Sequence, residues 1–229
     1  SKIEQKMRNL VLISLIIIFG CQSLKTTSQD PKRYENQIRN FQTASTIQRS
    51  EEPLLVFTGS SSIRRWENLT TLFPGFQVIK TGFGGSTMND LEYYINEAIL
   101  QYKPNKIFIY EGDNDVKLGV KQSKILRSTR SIIEKIRFEL PTSEIILISV
   151  KPSLDRWYLK DKYLELNKEL YKLSKDYDTV HYLDMWDTML AENGEPIAQF
   201  FVEDGIHLNE KGYQVWKIAI QDYLDKNTN

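Results

Sequence analysis

The chain has 229 residues, of which 41% are hydrophobic and 26% charged, as in a folded globular protein with one sizeable core. Lys plus Arg equal Asp plus Glu at 30 each, so the net charge gives no indication of a nucleic-acid partner. The single cysteine excludes an internal disulfide and a cysteine metal cluster.

The N-terminal segment has the features of an export signal. Lys2, Lys6 and Arg8 precede an apolar run over residues 10–19, and a glycine follows it. A basic start, a short apolar stretch and a small residue form the usual pattern of a cleaved signal peptide. The run is too short to cross a bilayer comfortably. We therefore predict a signal peptide over residues 1–20.

The only cysteine follows this segment directly. The stretch IIFGC resembles a bacterial lipoprotein signal, which implies that Cys21 carries a lipid and is the mature N-terminus. A membrane anchor that is not cleaved and a plain secretory signal are the alternatives. The lipoprotein interpretation places the protein outside the cytoplasm, anchored to a membrane in the periplasm or at the cell surface. A polar tether over residues 21–31 would then precede a folded domain over residues 32–229.

The folded part alternates between two hydrophobic periods. Short apolar, β-rich runs lie at residues 53–57, 76–80, 106–110, 144–150 and 179–184. Helical spacing relates the sets Leu91, Ile95, Ala98, Tyr102; Ile125, Ile132, Ile133, Ile136, Leu140; Leu159, Tyr163, Leu166, Leu170, Leu173; and Tyr213, Trp216, Ile220. Alternating strands and amphipathic helices predict a parallel sheet with helices on both faces. We predict one domain of the α/β class, a flavodoxin-like three-layer sandwich with a five-stranded parallel sheet.

Small and polar residues follow each predicted strand. In open α/β sheets, ligands bind beyond the carboxyl ends of the strands. The five strands lead into residues 59–62 (GSSS), 81–87 (TGFGGST), 111–115 (EGDND), 151–157 (KPSLDRW) and 203–207 (EDGIH). These exits are therefore where a site is expected.

Histidine is the scarcest group that could activate a nucleophile. A serine hydroxyl needs an adjacent base, most often histidine. His181 lies within a predicted strand, which favours a structural role. His207 lies three residues after Asp204, a spacing that lets the carboxylate orient the imidazole. By itself this pair favours a structural interpretation, with an aspartate near a helix N-cap and a surface histidine.

The other exits offer groups that could stabilise a developing oxyanion. Gly84 and Gly85 expose backbone N–H groups, and Asn114 has a carboxamide that donates without becoming charged. A tight turn before a capped helix and an Asx turn are the structural alternatives. Serines at residues 60–62 are likewise good helix N-caps. The occurrence of all these groups at the exits of one sheet favours a catalytic site.

The ordered stretches FTGSSS, GFGGST, GDND and DGIH resemble the four sequence blocks of the SGNH (GDSL-type) esterase and lipase superfamily. The resemblance covers roughly residues 54–223. It implies the same three-layer sandwich and a serine ester hydrolase that uses no metal and no organic cofactor.

The resemblance also implies a role for individual residues. The family's nucleophile corresponds to Ser61, and its acid and base correspond to Asp204 and His207. The oxyanion hole would consist of the backbone N–H groups of Ser61 and Gly85 together with the side chain of Asn114.

Four further residues near these motifs are predicted substrate contacts. Ser60 stands where the family usually has aspartate, and the choice of Ser61 among three neighbouring serines rests on alignment of the motif. Ser60 and Ser62 flank the nucleophile. Arg156 and Trp157 follow the fourth strand in a segment similar to one in bacterial relatives.

The expected function is hydrolysis of acetyl or other short-chain O-acyl esters, with carbohydrate esters and lysophospholipids as candidate substrates. The chain shows no long apolar lid segment, which favours short acyl groups. The alternative is a non-catalytic, flavodoxin-like lipoprotein that binds phosphate or flavin at its Gly- and Ser-rich exits. That alternative has no use for Asp204 beside His207. A scaffold or glycan-binding pseudoenzyme is a third possibility.

Overall fold

One parallel sheet organises the computed structural model, which describes residues 30–41 and 43–227. Its strands are β1 (Leu54–Gly59), β2 (Gln77–Gly82), β3 (Lys106–Tyr110), β4 (Glu144–Ile148) and β5 (Val180–Leu183). They are ordered β2-β1-β3-β4-β5, and every neighbouring pair is parallel. This is the flavodoxin-like order, so the predicted fold class is confirmed. Cys21 and the predicted signal peptide lie outside the described residues.

The central strands are buried on both faces. In β3, Ile107 and Ile109 join one apolar cluster, whereas Phe108 and Tyr110 join another on the opposite face. Such a strand needs apolar side chains at successive positions, because successive side chains point to opposite faces. For this reason the stretch KIFIY is a continuous apolar run rather than an alternating one.

Helices cover both faces of the sheet. They are α1 (Glu35–Arg39), α2 (Ser61–Arg64), α3 (Met88–Tyr93), α4 (Ile95–Ala98), α5 (Asp113–Lys117), α6 (Gln122–Glu139), α7 (Lys160–Ser174) and α8 (Glu210–Lys226). Buried side chains of α3, α4, α6 and α7 pack with Ile107, and those of α8 pack with Phe108. Over residues 30–41 and 43–227, no helix has the length and apolar character needed to cross a bilayer.

The helix predicted from the spacing of Leu91 to Tyr102 is interrupted in the structure. It consists of α3, α4 and a 3-10 turn over Leu100–Tyr102. Tyr94 separates α3 from α4 with φ −98° and ψ 22°, and its ring packs on Phe83 at 6.2 Å. Tertiary packing thus overrides the local helical pattern, although the predicted apolar face is buried.

The carboxyl ends of three strands lie side by side. Gly59 at the end of β1 is in register with Gly82 of β2 and with Tyr110 of β3. The loops that follow these strands therefore begin next to one another, which brings their polar residues to one edge of the sheet.

Candidate active site

The exit from β1 places a serine at the start of a short helix. Gly59 has φ 134°, and a Cβ on it would lie 2.0 Å from the carbonyl oxygen of Tyr110. Only glycine allows this close approach of the two backbones. Ser60 then adopts an extended conformation and Ser61 begins α2. This sharp turn leaves the Ser61 side chain only partly buried at the edge of the sheet.

The long segment between β5 and α8 brings a carboxylate onto an imidazole. Asp204 Oδ2 lies 2.6 Å from His207 Nδ1. Asp204 Oδ1 accepts hydrogen bonds from the backbone N–H groups of Ile206 at 2.8 Å and His207 at 2.9 Å. Burial alone would raise the pKa of Asp204, but hydrogen bonds from the His207 ring, the His207 N–H and the Ile206 N–H lower it to about 2. The carboxylate is therefore ionised and fixed in orientation.

The imidazole connects this carboxylate to the serine. His207 Nε2 lies 2.8 Å from Ser61 Oγ, although the two residues are 146 positions apart. Because Asp204 accepts from Nδ1, the Nδ1 atom carries the proton and Nε2 is free to accept the Ser61 hydroxyl proton. His181 lies on the edge strand β5 instead, 3.8 Å from Glu144. The tertiary fold thus joins a hydroxyl, an imidazole and a carboxylate in one hydrogen-bonded chain.

The segment after β4 holds the loop that carries His207. Lys151 is buried, and its Nζ donates to the carbonyl oxygen of Ile206 at 2.7 Å. The N–H of Leu154 donates to the carbonyl oxygen of Gly205 at 2.9 Å. Burial lowers the pKa of Lys151 to about 8 despite attraction from Asp113. These bonds fix the backbone of the loop and hence the position of the imidazole.

Two backbone N–H groups are predicted donors of the oxyanion hole. The N–H groups of Ser61 and Gly85 have no hydrogen-bond acceptor within the described part of the chain. The N–H of Gly84 donates to Gln37 Oε1 at 2.9 Å. Of the two glycines that sequence reasoning considered, Gly85 is therefore the one with a free donor. Its φ of 83° lies in the left-handed region that favours glycine.

The carboxamide of Asn114 is held at both ends. Its Nδ2 donates to the carbonyl oxygen of Ser86 at 2.9 Å, and its Oδ1 accepts from Arg156 Nη1 at 3.1 Å. Nδ2 carries two hydrogens, so one remains for a further acceptor. Asn114 lies within α5 and bonds to a distant loop, so it does not form the Asx turn that was its structural alternative.

Two buried acids, Glu111 and Asp115, contact the loop between β2 and α3 from the side of the sheet. Ser86 Oγ lies 2.9 Å from the Phe83 carbonyl oxygen and 2.5 Å from Glu111 Oε1. Burial raises the pKa of Glu111 well above 4.5, although the hydrogen bond from Ser86 opposes this shift. Asp115 accepts from the N–H of Met88, and burial raises its pKa to about 7.

The residues predicted as substrate contacts are buried or contact other side chains of the protein. Ser60 and Ser62 are 0% and 2% exposed, so they offer no surface to a substrate, and this interpretation is corrected. The guanidinium of Arg156 bonds to the oxyanion-hole candidate Asn114. Trp157 is partly buried and stacks on Trp186 at a ring distance of 5.9 Å.

Several residues around the site were not identified from sequence. Glu111 and Lys151 each follow a strand closely. That position was the one feature of the sequence that could have indicated a place near the site. Gln37 lies in a polar helix 47 residues before Gly84, and no local pattern links the two.

Comparisons with known proteins place the chain in a family. The GDSL-like Lipase/Acylhydrolase family model matches residues 45–215. No curated protein matches the sequence significantly. The fold is shared with a Streptococcus pneumoniae protein provisionally named as a platelet activating factor, at 22% identity and TM-score 0.72, covering 94% of this chain and 99% of that chain.

Two further solved structures share the fold. A GDSL-like lipase from Bacteroides thetaiotaomicron is 22% identical with TM-score 0.67, covering 86% of this chain and 98% of its own. An acetyl-xylooligosaccharide esterase from Geobacillus stearothermophilus is 16% identical with TM-score 0.62, covering 74% of this chain and 93% of its own. The family match disfavours the alternative of a phosphate- or flavin-binding protein. Because that match spans well over half of the sequence, the chain belongs to the GDSL-like lipase/acylhydrolase family and is a carboxylic ester hydrolase.

Proposed function

We propose that Ser61, His207 and Asp204 form the catalytic triad of a serine esterase. The observation that carries the proposal is the continuous chain from Ser61 Oγ through both ring nitrogens of His207 to Asp204 Oδ2, at 2.8 and 2.6 Å. Ser61 Oγ attacks the ester carbonyl carbon while Nε2 accepts its proton. The imidazolium, stabilised by Asp204, then protonates the departing alcohol.

Water completes the reaction in a second step. His207 accepts a proton from water as the oxygen of that water attacks the acyl carbon. The bond to Ser61 Oγ then breaks, the proton returns to the serine, and the free acid leaves. Neither step of this reaction requires a metal or an organic cofactor.

The oxyanion of each tetrahedral intermediate would accept three hydrogen bonds. The donors are the N–H groups of Ser61 and Gly85 and the remaining hydrogen of Asn114 Nδ2. Arg156 acts as a positioning residue because it holds the oxygen of this carboxamide and so directs the nitrogen. Loss of one oxyanion donor typically costs about 2.7–4 kcal/mol of transition-state stabilisation.

The substrate class that we favour is an acetyl or other short-chain O-acyl ester, carried by a carbohydrate or a lysophospholipid. Two exposed apolar side chains flank the loop of His207. Leu154 packs on Gly205, and the N–H of Val202 donates to the His207 carbonyl oxygen. The sequence contains no long apolar lid segment beside them, which favours a short acyl group over a long one. The Geobacillus esterase that shares the fold is named for acetyl esters of xylooligosaccharides, which agrees with this choice.

A substitution at the nucleophile tests the proposal. Ser61→Ala is expected to abolish turnover of p-nitrophenyl acetate and labelling by a fluorophosphonate probe. Ser60→Ala is the matched control, because its buried hydroxyl has no hydrogen-bond partner among the described residues and should be dispensable. Turnover retained by Ser61→Ala would reject the triad. Faster hydrolysis of palmitoyl than of acetyl esters would reject the substrate class.

We also propose that the enzyme is exported and anchored through a lipid on Cys21. Support comes from the sequence alone, in the basic residues and apolar run that precede the cysteine. Cys21→Ala is expected to release the protein from the membrane fraction of the producing cells. Unchanged fractionation of this variant, together with no incorporation of labelled fatty acid in the wild type, would contradict the proposal.

A further inference from the structure

Three side chains that precede the first strand contact the loop that carries Gly85. They are Arg33, Tyr34 and Gln37, and we call these three residues the N-terminal brace. We infer that the N-terminal brace holds the oxyanion donor of Gly85 in its working orientation, an inference that rests on the function proposed above. The brace lies outside residues 45–215, the part of the chain that matches the family.

The loop needs such support because of its composition. Gly84 and Gly85 have no side chains that could anchor it, and glycine has more backbone freedom than any other residue. A donor contributes to transition-state stabilisation only if its direction is set before the reaction. Ser86 closes the turn over the glycine pair through its bonds to the Phe83 carbonyl oxygen, and Glu111 contacts Ser86 from the side of the sheet, but neither residue contacts the N–H groups of Gly84 and Gly85.

Gln37 makes a hydrogen bond to the backbone of Gly84, the first glycine of the pair. Its Oε1 accepts from the N–H of Gly84 at 2.9 Å. This N–H belongs to the peptide plane between Phe83 and Gly84. Fixing that plane removes freedom on one side of Gly84, the residue whose φ and ψ set the direction of the Gly85 N–H. The same bond also satisfies a donor that would otherwise compete for the substrate oxygen.

Tyr34 covers the outer side of the glycine pair. It is 5% exposed, and its ring packs edge-on against Phe83 at 5.1 Å. A Cβ placed on Gly85 would lie 3.4 Å from the Tyr34 hydroxyl. The aromatic ring thus limits outward movement of the loop.

Arg33 links the brace to the C-terminal end of the loop, where α3 begins. Its Nη2 lies 2.7 Å from Asp90 Oδ2, and Asp90 is buried. The same carboxylate oxygen accepts from the N–H and the hydroxyl of Thr87, which caps α3. An ion pair at this point compensates a buried charge and links the brace to the residue at which the loop ends.

The test compares two neighbouring amides of α1 in the full-length enzyme. Gln37→Ala removes the acceptor of the Gly84 N–H, whereas Asn36→Ala changes an exposed side chain. For p-nitrophenyl acetate, we expect kcat of Gln37→Ala to fall on the order of tenfold, less than the ~10²-fold loss of a whole donor. KM should change by less than about twofold, because the effect is on the transition state. Asn36→Ala should match the wild type in both constants.

A third variant separates positioning from folding. Gln37→Glu keeps an acceptor oxygen and is expected to retain more turnover than Gln37→Ala at equal melting temperature. Wild-type kcat in Gln37→Ala, a change confined to KM, or a kcat loss explained by loss of folded protein would each overturn the inference. If Ser61→Ala is inactive while Gln37→Ala is fully active, only this inference fails. If Ser61→Ala remains active, the proposed function itself fails.

Discussion

Replacing Asp204 by asparagine should inactivate the enzyme even though the two side chains have the same shape. In the wild type, Oδ1 accepts from two backbone N–H groups and Oδ2 accepts from His207 Nδ1. A carboxamide has only one oxygen. If that oxygen stays on the two backbone donors, the amide nitrogen faces Nδ1 and requires it to be an acceptor. The ring proton then resides on Nε2, which can no longer accept the proton of Ser61.

The hydrogen bonds decide between the two amide orientations. Directing the oxygen to the two backbone donors keeps two hydrogen bonds, whereas directing it to His207 keeps one. At about 1 kcal/mol per bond, the orientation that imposes the wrong tautomer is favoured roughly fivefold, before repulsion between facing N–H groups is added. Catalysis in triads with the wrong tautomer falls by about 10⁴-fold in kcat.

Initial rates with p-nitrophenyl acetate test this reasoning across Asp204→Asn, Asp204→Ala and the wild type. Asparagine should be no better than alanine, despite preserving the shape of the side chain. Circular dichroism and melting temperature establish that the variants are folded. Asp204→Asn with more than about a tenth of wild-type kcat would refute the assigned tautomer and the role of the carboxylate.

Two further substitutions test the surroundings of the site. Arg156→Met frees the oxygen end of the Asn114 carboxamide, so kcat should fall about tenfold with little change in KM; an unchanged kcat would show that Ser86 alone orients the amide. Burial raises the pKa of Asp115 from 3.8 to about 7. The free energy of unfolding should therefore decline as pH rises from about 3.8 to about 7, because only the unfolded chain releases this proton readily. Above pH 7 the ionised acid opposes folding by up to about 4 kcal/mol. Asp115→Asn keeps an acceptor for the Met88 N–H, and its melting temperature should fall less than that of the wild type between about pH 5 and about pH 8. Parallel melting curves would contradict this pKa.

The strands could be predicted because their burial is recorded in local composition. β3 and β4 are apolar at nearly every position, since both of their faces are covered. The interrupted helix shows where this approach fails. Leu91 and Tyr102 lie on a buried face as predicted, but the helix is interrupted at Tyr94, whose ring packs on Phe83. That contact joins two elements and leaves no trace in the periodicity.

The candidate site divides in the same way. Ser61, Asp204 and His207 could be proposed from sequence because the short motifs that contain them resemble sequence blocks of the family. The contact of Arg156 with Asn114 and the burial of Ser60 could not be predicted from sequence. Both depend on how side chains from distant parts of the chain pack around these residues.

The amino-acid sequence by itself determined the layers of this protein and the types of group at its strand exits, because hydrophobic period and glycine placement act over a few residues. Only the tertiary structure decided which glycine N–H is free, which acid is ionised and which distant amide holds the loop. Those properties depend on hydrogen bonds and burial between groups such as Gln37 and Gly84, 47 residues apart, and such contacts exist only once the chain has folded.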